Sequence, residues 1–328
     1  MSSNAGVADA GPGVGRRVPY VFSMKHNSLE DGPGIRSVIF VKGCNLDCAW
    51  CHNPESKRQR NELSFDRSAC IGCRECLPAC PAGALQAGDP SAGEAAVVID
   101  RQACDTCLQC VDVCPTRALS AVGRSAGVDE LVEEVLRYRT FIEASGGGVT
   151  LSGGEPTLFT DFTSSLLARF KAEGLHTLIE TNGRFRFEDF AAAILPHTDM
   201  IYFDIKIVDR DEHRRFCGTA NDTILENFLR LHRMSQSGGF TVVPRTPLIP
   251  DVTDTERNIT DLARFYAEHG VTRTMVLKSN PLWAEKYTKL GIGGGLIDLQ
   301  APRGLYPKKR IEELSRIYRD FGVEVTTG

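Results

Sequence analysis

The sequence predicts an α/β fold in which strands and helices alternate along most of the chain, with a cysteine-rich insertion near its start. Short β-branched or aromatic runs carry the strand half of this reading. They recur at Val38-Ile39-Phe40-Val41, Val149-Thr150-Leu151, Thr177-Leu178-Ile179, Met200-Ile201-Tyr202-Phe203, Thr241-Val242-Val243 and Thr274-Met275-Val276-Leu277. The stretches between them have helical spacing: Leu131, Val135 and Tyr138; Phe162, Leu166, Leu167 and Phe170; Ile259, Leu262 and Phe265. Alternation of this kind calls for parallel βαβ units. Six such units are too few to close an eight-fold barrel. A last helix over 311–321 and the run Val323-Glu324-Val325 read as closure of the wall.

Composition narrows the function. The chain has 328 residues, enough for about two domains, and a net charge of −4 with both signs dispersed. That balance points away from nucleic acid and from a polybasic membrane patch, and no apolar stretch approaches the roughly 20 residues of a membrane span. Residues 1–17, rich in Gly, Ala and Ser, lack the apolar core of a signal peptide and read as a flexible tail. A cytoplasmic location is the expectation. Of the 12 cysteines, all but Cys217 fall between Cys44 and Cys114. Clustered cysteines in such a chain suit metal or redox chemistry better than a disulfide scaffold. Cys217 reads as a small buried hydrophobe without a role.

Two segments repeat one pattern. The run Cys70-Ile71-Gly72-Cys73-Arg74-Glu75-Cys76-Leu77-Pro78-Ala79-Cys80-Pro81 matches Cys104-Asp105-Thr106-Cys107-Leu108-Gln109-Cys110-Val111-Asp112-Val113-Cys114-Pro115. This is C-x2-C-x2-C-x3-C-P in duplicate, the run of bacterial-type two-cluster ferredoxins, in which the fourth cysteine of each run serves the other cluster. One cluster is then expected on Cys70, Cys73, Cys76 and Cys114, and the other on Cys104, Cys107, Cys110 and Cys80. Tetrahedral zinc does not require this crossed spacing.

A third group, Cys44, Cys48 and Cys51, directly follows the first strand run in C-x3-C-x2-C spacing. A [4Fe–4S] cluster normally takes four cysteines, so three leave one iron open; structural zinc would want a fourth ligand. The surrounding sequence, Asp31-Gly32-Pro33-Gly34-Ile35-Arg36 and then Gly43-Cys44-Asn45-Leu46-Asp47-Cys48-Ala49-Trp50-Cys51-His52-Asn53-Pro54, resembles the radical S-adenosylmethionine (SAM) enzymes. Within them it resembles the activating enzymes of glycyl-radical enzymes, from about Tyr20 to the C-terminus. The resemblance implies a partial (β/α)6 TIM-type radical SAM barrel, residues 18–56 and 121–328, with an inserted bacterial-type ferredoxin domain at 57–120. Three [4Fe–4S] clusters and SAM are the cofactors it implies.

Further motifs fall at the strand C-termini, where parallel barrels gather functional residues. Ser152-Gly153-Gly154-Glu155-Pro156 follows the second strand, Glu180-Thr181-Asn182-Gly183 the third, Asp204-Ile205-Lys206 the fourth, and Arg245 the fifth. Gly153 and Gly154 let backbone approach a ligand; by resemblance this loop holds the methionyl amine of SAM. Asp204 and Lys206 share a face by period-two alternation and either pair or contact SAM. Glu180 and Asn182 share the same argument, and Arg245 could hold a carboxylate bidentately. Trp50 sits where the family places an aromatic toward the adenine. Gly153, Gly154, Glu155, Asp204, Lys206, Asn182, Arg245 and Trp50 are thus the expected SAM-site residues, with no side-chain acid or base among them.

The resemblance implies reductive cleavage of SAM to a 5′-deoxyadenosyl radical, which takes a hydrogen atom from a glycine of a large partner enzyme. Partners in the family act on choline, hydroxyphenylacetate, toluene, glycerol or isethionate. A flavodoxin or ferredoxin would supply electrons through the insertion, and the radical implies anaerobic work. Direct action on a small molecule, such as dehydration or decarboxylation of a sugar or nucleoside, is the alternative. A pure electron carrier would need neither an open iron nor a Gly-Gly-Glu-Pro turn. Two departures stand out: Asn280 replaces a family histidine, and Asp251 stands where the family usually has glycine.

Overall fold

The computed structural model describes residues 18–279, 283–293 and 306–328; the expected tail and Asn280 lie outside the described residues. Its strands, in chain order, are β1 (Tyr20–Ser28), β2 (Arg36–Val41), β3 (Glu62–Phe65), β4 (Leu85–Ala87), β5 (Val97–Ile99), β6 (Leu119–Val122), β7 (Arg124–Ser125), β8 (Gly148–Gly153), β9 (His176–Thr181), β10 (Met200–Asp204), β11 (Thr241–Leu248), β12 (Arg273–Lys278) and β13 (Glu324–Thr327). Nine form one sheet in the order β13-β12-β11-β10-β9-β8-β2-β1-β7. From β2 through β13 every neighbouring pair is parallel. The sheet stays open, with β13 and β7 as its edges, so the wall is a partial barrel.

All six expected strands are present, and β13 extends the parallel set. The strand β1 was not anticipated, although Phe22 and Met24 alternate with Ser23 and Lys25. It runs antiparallel to β2 and covers an edge that would otherwise expose unpaired backbone. The helices follow their apolar spacing. Asp222–Ser235 buries Ile224, Phe228 and Leu231, and Glu256–Glu268 buries Ile259, Leu262, Ala263 and Tyr266. Thr255 caps the latter by accepting from the Asn258 N–H, a contact of about 1 kcal/mol. No described helix is long and apolar enough to cross a membrane.

One boundary differs from expectation. The fifth strand run ends at Val243 in the sequence reading, which places Arg245 after the strand, and proline seldom sits in a central strand. Instead β11 continues through Pro244, Arg245 and Pro247 to Leu248. The carbonyls of this stretch still bond: Pro244 O accepts from Thr274 Oγ1 at 3.0 Å and Arg245 O from the Ile205 N–H at 2.9 Å. Arg245 therefore lies within the strand, opposite Asp204 and Met275, rather than in the loop beyond it.

The insertion has its own core of Leu63, Phe65, Cys76, Leu85, Val97, Cys110, Ala118 and Leu119. Its duplication is structural as well as sequential. Strand β3 pairs with β6 and β4 with β5, so each half gives one strand to each ribbon. Positive φ recurs at matching places: Gly72 (71°) and Thr106 (61°), Arg74 (64°) and Leu108 (65°), Gly83 (60°) and Arg117 (56°). Non-glycine residues are uncommon there, so the cysteine-bearing loops impose one backbone path on both halves. Because the entering strand pairs with the leaving one, the insertion starts and ends at one point of the barrel. Lys42, at the end of β2 and fully buried, reaches Glu62 at 3.0 Å across that junction.

Candidate active site

The loop after β2 carries Cys44, Cys48 and Cys51 and is held at both ends. Gly43 donates to Ser56 O at 2.6 Å, and Cys44 to Lys57 O at 3.3 Å. On the far side, Asp47 and Ala49 donate at 2.9 Å each to the carbonyls of Cys217 and Phe216, at the C-terminal end of the helix Arg210–Cys217. Helix ends leave such carbonyls free to accept. The Trp50 ring is buried against Phe216, 6.2 Å between centroids. Cys217 is buried and near enough to Cys48 to raise its thiol, so the residue given no role packs behind a site cysteine.

Burial pushes the Cys44 thiol up to about 12 and Cys51 up to about 11. Cys48 is raised as well, by the neighbouring Cys217 and then by burial. Protein surroundings alone thus keep all three protonated at neutral pH, and a cationic iron centre is the partner that would draw off their protons. Among the described residues no three His, Cys, Asp or Glu side chains converge as a single-ion site. A three-thiol set spread along one loop fits a cubane better than a single ion.

The Gly-Gly-Glu-Pro turn lies against this loop. Gly154 donates to Val41 O at 2.9 Å and Glu155 to Gly43 O at 2.7 Å. A Cβ on Gly153 would stand 2.3 Å from Val41 O, and one on Gly154 2.1 Å from Gly43 O. The glycines are required first by this backbone approach, and Gly153 also by its φ of 121°. Glu155 is fully buried and engaged within the protein. Its Oε1 accepts from the Thr157 N–H (3.2 Å), Thr157 Oγ1 (2.7 Å) and Thr181 Oγ1 (2.8 Å), and its Oε2 from the Asn182 N–H (2.7 Å). It ties the loop after β8 to the loop after β9. Asn182 Nδ2 in turn donates to Asn45 Oδ1 at 2.9 Å and lies 3.7 Å from Cys44 Sγ.

The expected charged residues form one network. Arg245 donates Nη1 to Glu180 Oε1 at 2.6 Å, and Nε and Nη2 to Asp204 Oδ1 at 3.0 and 2.9 Å. Lys206 Nζ bonds Asp204 Oδ2 at 2.9 Å, and Ser152 Oγ donates to Glu180 Oε2 at 2.6 Å. The guanidinium also lies 4.7 Å above the centre of the Tyr202 ring. Burial would raise the Asp204 carboxyl, but Lys206 and Arg245 outweigh it and hold it below the usual carboxylate range. The Lys206 ammonium is held above its ordinary range despite burial, by Asp204 and then Cys48, which places it beside the cysteine loop. Of the two readings open for Asp204 and Lys206, mutual pairing is therefore present; Ser152 and Tyr202, which complete the network, were not anticipated. Asp251 adopts φ of 61°, the left-handed conformation natural to the glycine it replaces, and its N–H donates to Asp254 Oδ1 at 2.8 Å.

In the insertion, two small cavities are lined by the cysteines in crossed register. One is bordered by Cys80, Cys104, Cys107 and Cys110. The other is bordered by Cys70, Cys73, Cys76 and Cys114. In each, three cysteines of one run are joined by the fourth of the other.

Comparison with known proteins agrees with this geometry. The radical SAM superfamily model matches residues 112–263, and the 4Fe-4S dicluster domain model matches residues 55–118. The isethionate sulfite-lyase activating enzyme of Oleidesulfovibrio alaskensis is 37% identical over 86% of this chain and 88% of its own. The benzylsuccinate synthase activating enzyme of Thauera aromatica is 34% identical over 95% of this chain and 93% of its own. Streptococcus suis SuiB, in its crystal structure bound to precursor peptide SuiA, shares the fold at a TM-score of 0.51 and 14% identity, covering 89% of this chain and 48% of that one. Similarity at the level of the two activating enzymes, running through barrel and insertion alike, makes this chain a radical SAM oxidoreductase that binds SAM and iron–sulfur clusters, a member of the activating enzymes of glycyl-radical enzymes.

Proposed function

We propose that Cys44, Cys48 and Cys51 hold an open-iron cluster, that the insertion holds two further [4Fe–4S] clusters, and that the barrel mouth binds SAM for hydrogen abstraction from a glycine of a protein partner. The observation that carries this is the placement of a three-thiol loop against the Gly153–Gly154 turn at the C-terminal ends of β2 and β8. A cluster held by Cys44, Cys48 and Cys51 would supply the one electron that breaks the C–S bond of the SAM sulfonium, with methionine leaving and the 5′-carbon taking the hydrogen atom. The chain's own residues bind and orient. The Gly-Gly turn offers carbonyls to the methionyl ammonium, and Asn182 lies at the edge of Cys44. The Arg245–Asp204–Lys206 network keeps charged groups in fixed positions in a site shielded from water. Glu155 acts by holding two loops in register, and Trp50 by filling the space behind the cysteine loop.

The domain limits we assign are 18–56 and 121–328 for the barrel and 57–120 for the insertion. A flavodoxin or ferredoxin is the electron donor we assign, and the cytoplasm is the location. The test is anaerobic reconstitution with SAM, a low-potential reductant and an extract of anaerobically grown host cells. A stable glycyl doublet in the EPR spectrum, growing in step with 5′-deoxyadenosine, is expected. Deoxyadenosine that rises with a small-molecule fraction and leaves no protein radical would move the assignment to direct small-molecule catalysis.

A further inference from the structure

We infer that the insertion has an entry end and an exit end: an acidic one-electron carrier docks beside Cys70 and Cys73, and the electron leaves from the Cys104 end to the barrel across the helix Trp283–Leu290. The inference rests on the relay reading above and adds to it a direction and a docking face.

The exit end is identified by what touches the helix Trp283–Leu290. Arg101, three residues before Cys104, donates Nη2 to Lys289 O at 3.1 Å and Nη1 to Leu63 O, while Lys289 Nζ pairs with Asp66 at 2.9 Å. The same helix reaches the barrel cysteine loop. Lys286 Nζ donates to Asn53 Oδ1 at 2.9 Å and pairs with Glu55 at 2.7 Å. Trp283, buried, stacks on His52 at 6.1 Å and meets the Tyr287 ring edge-on at 5.5 Å. One short helix thus contacts residues within three positions of both Cys51 and Cys104. On the other half the helix is met by Asp66, four positions before Cys70, through a side-chain ion pair, and among the described residues no hydrogen bond or ion pair joins residues 67–79 to the barrel; Arg101, three positions before Cys104, bonds the backbone of the helix itself.

The entry end is identified by divergence between the two halves of the duplication. The halves share cysteine spacing, positive-φ positions and an arginine at Arg67 and Arg101, yet differ on the rim at Ile71 and Arg74 against Asp105 and Leu108. Ile71 is 69% exposed, Cys73 is exposed, and Arg67 and Arg74 flank an open groove there. Among the described residues neither arginine forms an ion pair, whereas Arg101 is turned inward on Leu63 and the barrel helix. Glu94 on the same rim is engaged with the Asp89 N–H at 3.0 Å. An exposed aliphatic side chain ringed by two unpaired arginines fits the acidic face of a redox carrier, with complementary charge setting the encounter rate. Each event oxidises the carrier by one electron, and one electron reaches the barrel for each sulfonium cleaved.

The test is anaerobic stopped-flow bleaching of the iron–sulfur absorbance of the full enzyme by a reduced flavodoxin, with dithionite as a small reductant in parallel. Ile71→Glu/Arg74→Glu is expected to slow the second-order reduction by flavodoxin about tenfold or more and to flatten its salt dependence, with dithionite bleaching unchanged. Arg67→Glu, which lines neither cysteine cavity, should slow it in the same sense even if the double variant loads iron poorly. Gln102→Glu, beside Cys104, should leave the rate unaltered. Arg101→Gln should spare bleaching of the insertion but delay the freeze-quench EPR signal of the reduced barrel cluster. Unchanged flavodoxin rates in both entry-end variants, or slowing by Gln102→Glu alone, would overturn the assigned direction. Wild-type enzyme that dithionite bleaches and flavodoxin does not would instead overturn the relay reading.

Discussion

At the scale of single residues, the site is governed by which charges are left a partner once water is excluded. Arg245 is 5% exposed and joins two carboxylates, Glu180 and Asp204, that among the described residues pair with no other cation except Lys206. Removing it with Arg245→Leu should destabilise the fold by about 3–5 kcal/mol, because the carboxylates remain buried without their partner. Arg245→Lys should cost less but still break the fork that bonds both at once. Urea midpoints of the two variants against wild type check this, and a loss below ~1 kcal/mol for the leucine variant would show that the network is not a structural brace. A pH prediction belongs at the same scale. His213 is buried with Nδ1 2.6 Å from Thr219 O, and burial lowers its pKa from the ordinary 6.5. The unfolded chain therefore binds more protons below 6.5, so stability is full above that pH and declines as pH falls toward the folded-state value. His213→Gln should flatten the loss between about pH 7 and 5.5 in denaturation curves; an unchanged slope would assign it to other groups.

At the scale of elements, two junctions join parts of the chain that are distant in sequence or fold apart. The loop after β2 is not shaped by its cysteines alone, since the C-terminal carbonyls of the helix Arg210–Cys217 accept from Asp47 and Ala49. That helix belongs to a unit far along the chain, which is why no local pattern announced the contact. The second junction joins β2 to the insertion through Lys42 and Glu62, both buried, with Arg58 adding a bond at 3.1 Å. Lys42→Met alone should cost about 3 kcal/mol by stranding the Glu62 carboxylate. Lys42→Met/Glu62→Met should recover most of that loss, since a packed apolar pair replaces the ion pair. A double variant as unstable as the single one in chemical denaturation would mean that packing volume, rather than charge, controls the junction.

At the scale of the whole molecule, the insertion enters and leaves the barrel at one junction and touches it again at the helix Trp283–Leu290. It has a core of its own, and its first and last strands, β3 and β6, run side by side. Replacing residues 62–122 with a short glycine linker, together with Lys42→Met, should therefore leave a folded barrel. Reconstituted iron is expected to fall from about twelve to about four atoms per chain, with SAM binding retained. Iron analysis and equilibrium dialysis with labelled SAM test this. Retained binding would mark the barrel as self-sufficient for cofactor capture, and lost binding would show that the insertion shapes the site.

The sequence by itself determined the elements whose signal is local: the six strand runs, the helices of 3.6 periodicity, the duplicated cysteine runs and the three-cysteine loop. These are legible because each is encoded within a few residues, by side-chain period or by ligand spacing. The grouping of cysteines from the two runs around shared cavities follows the same register, since the runs are duplicated. Other features were settled only by packing. The continuation of β11 through Pro244 and Pro247 depends on bonds to β10 and β12 that no window around the prolines contains. Glu155 could be read as a ligand-facing carboxylate until Thr157, Thr181 and Asn182 were seen to fill its oxygens. Cys217 looked solitary, being separated from Cys48 by most of the barrel sequence, and the helix that carries it brings the two thiols together. Spacing along the chain specifies which groups can act; only the closed sheet and its helices decide which of them meet, because long-range contact has no local code.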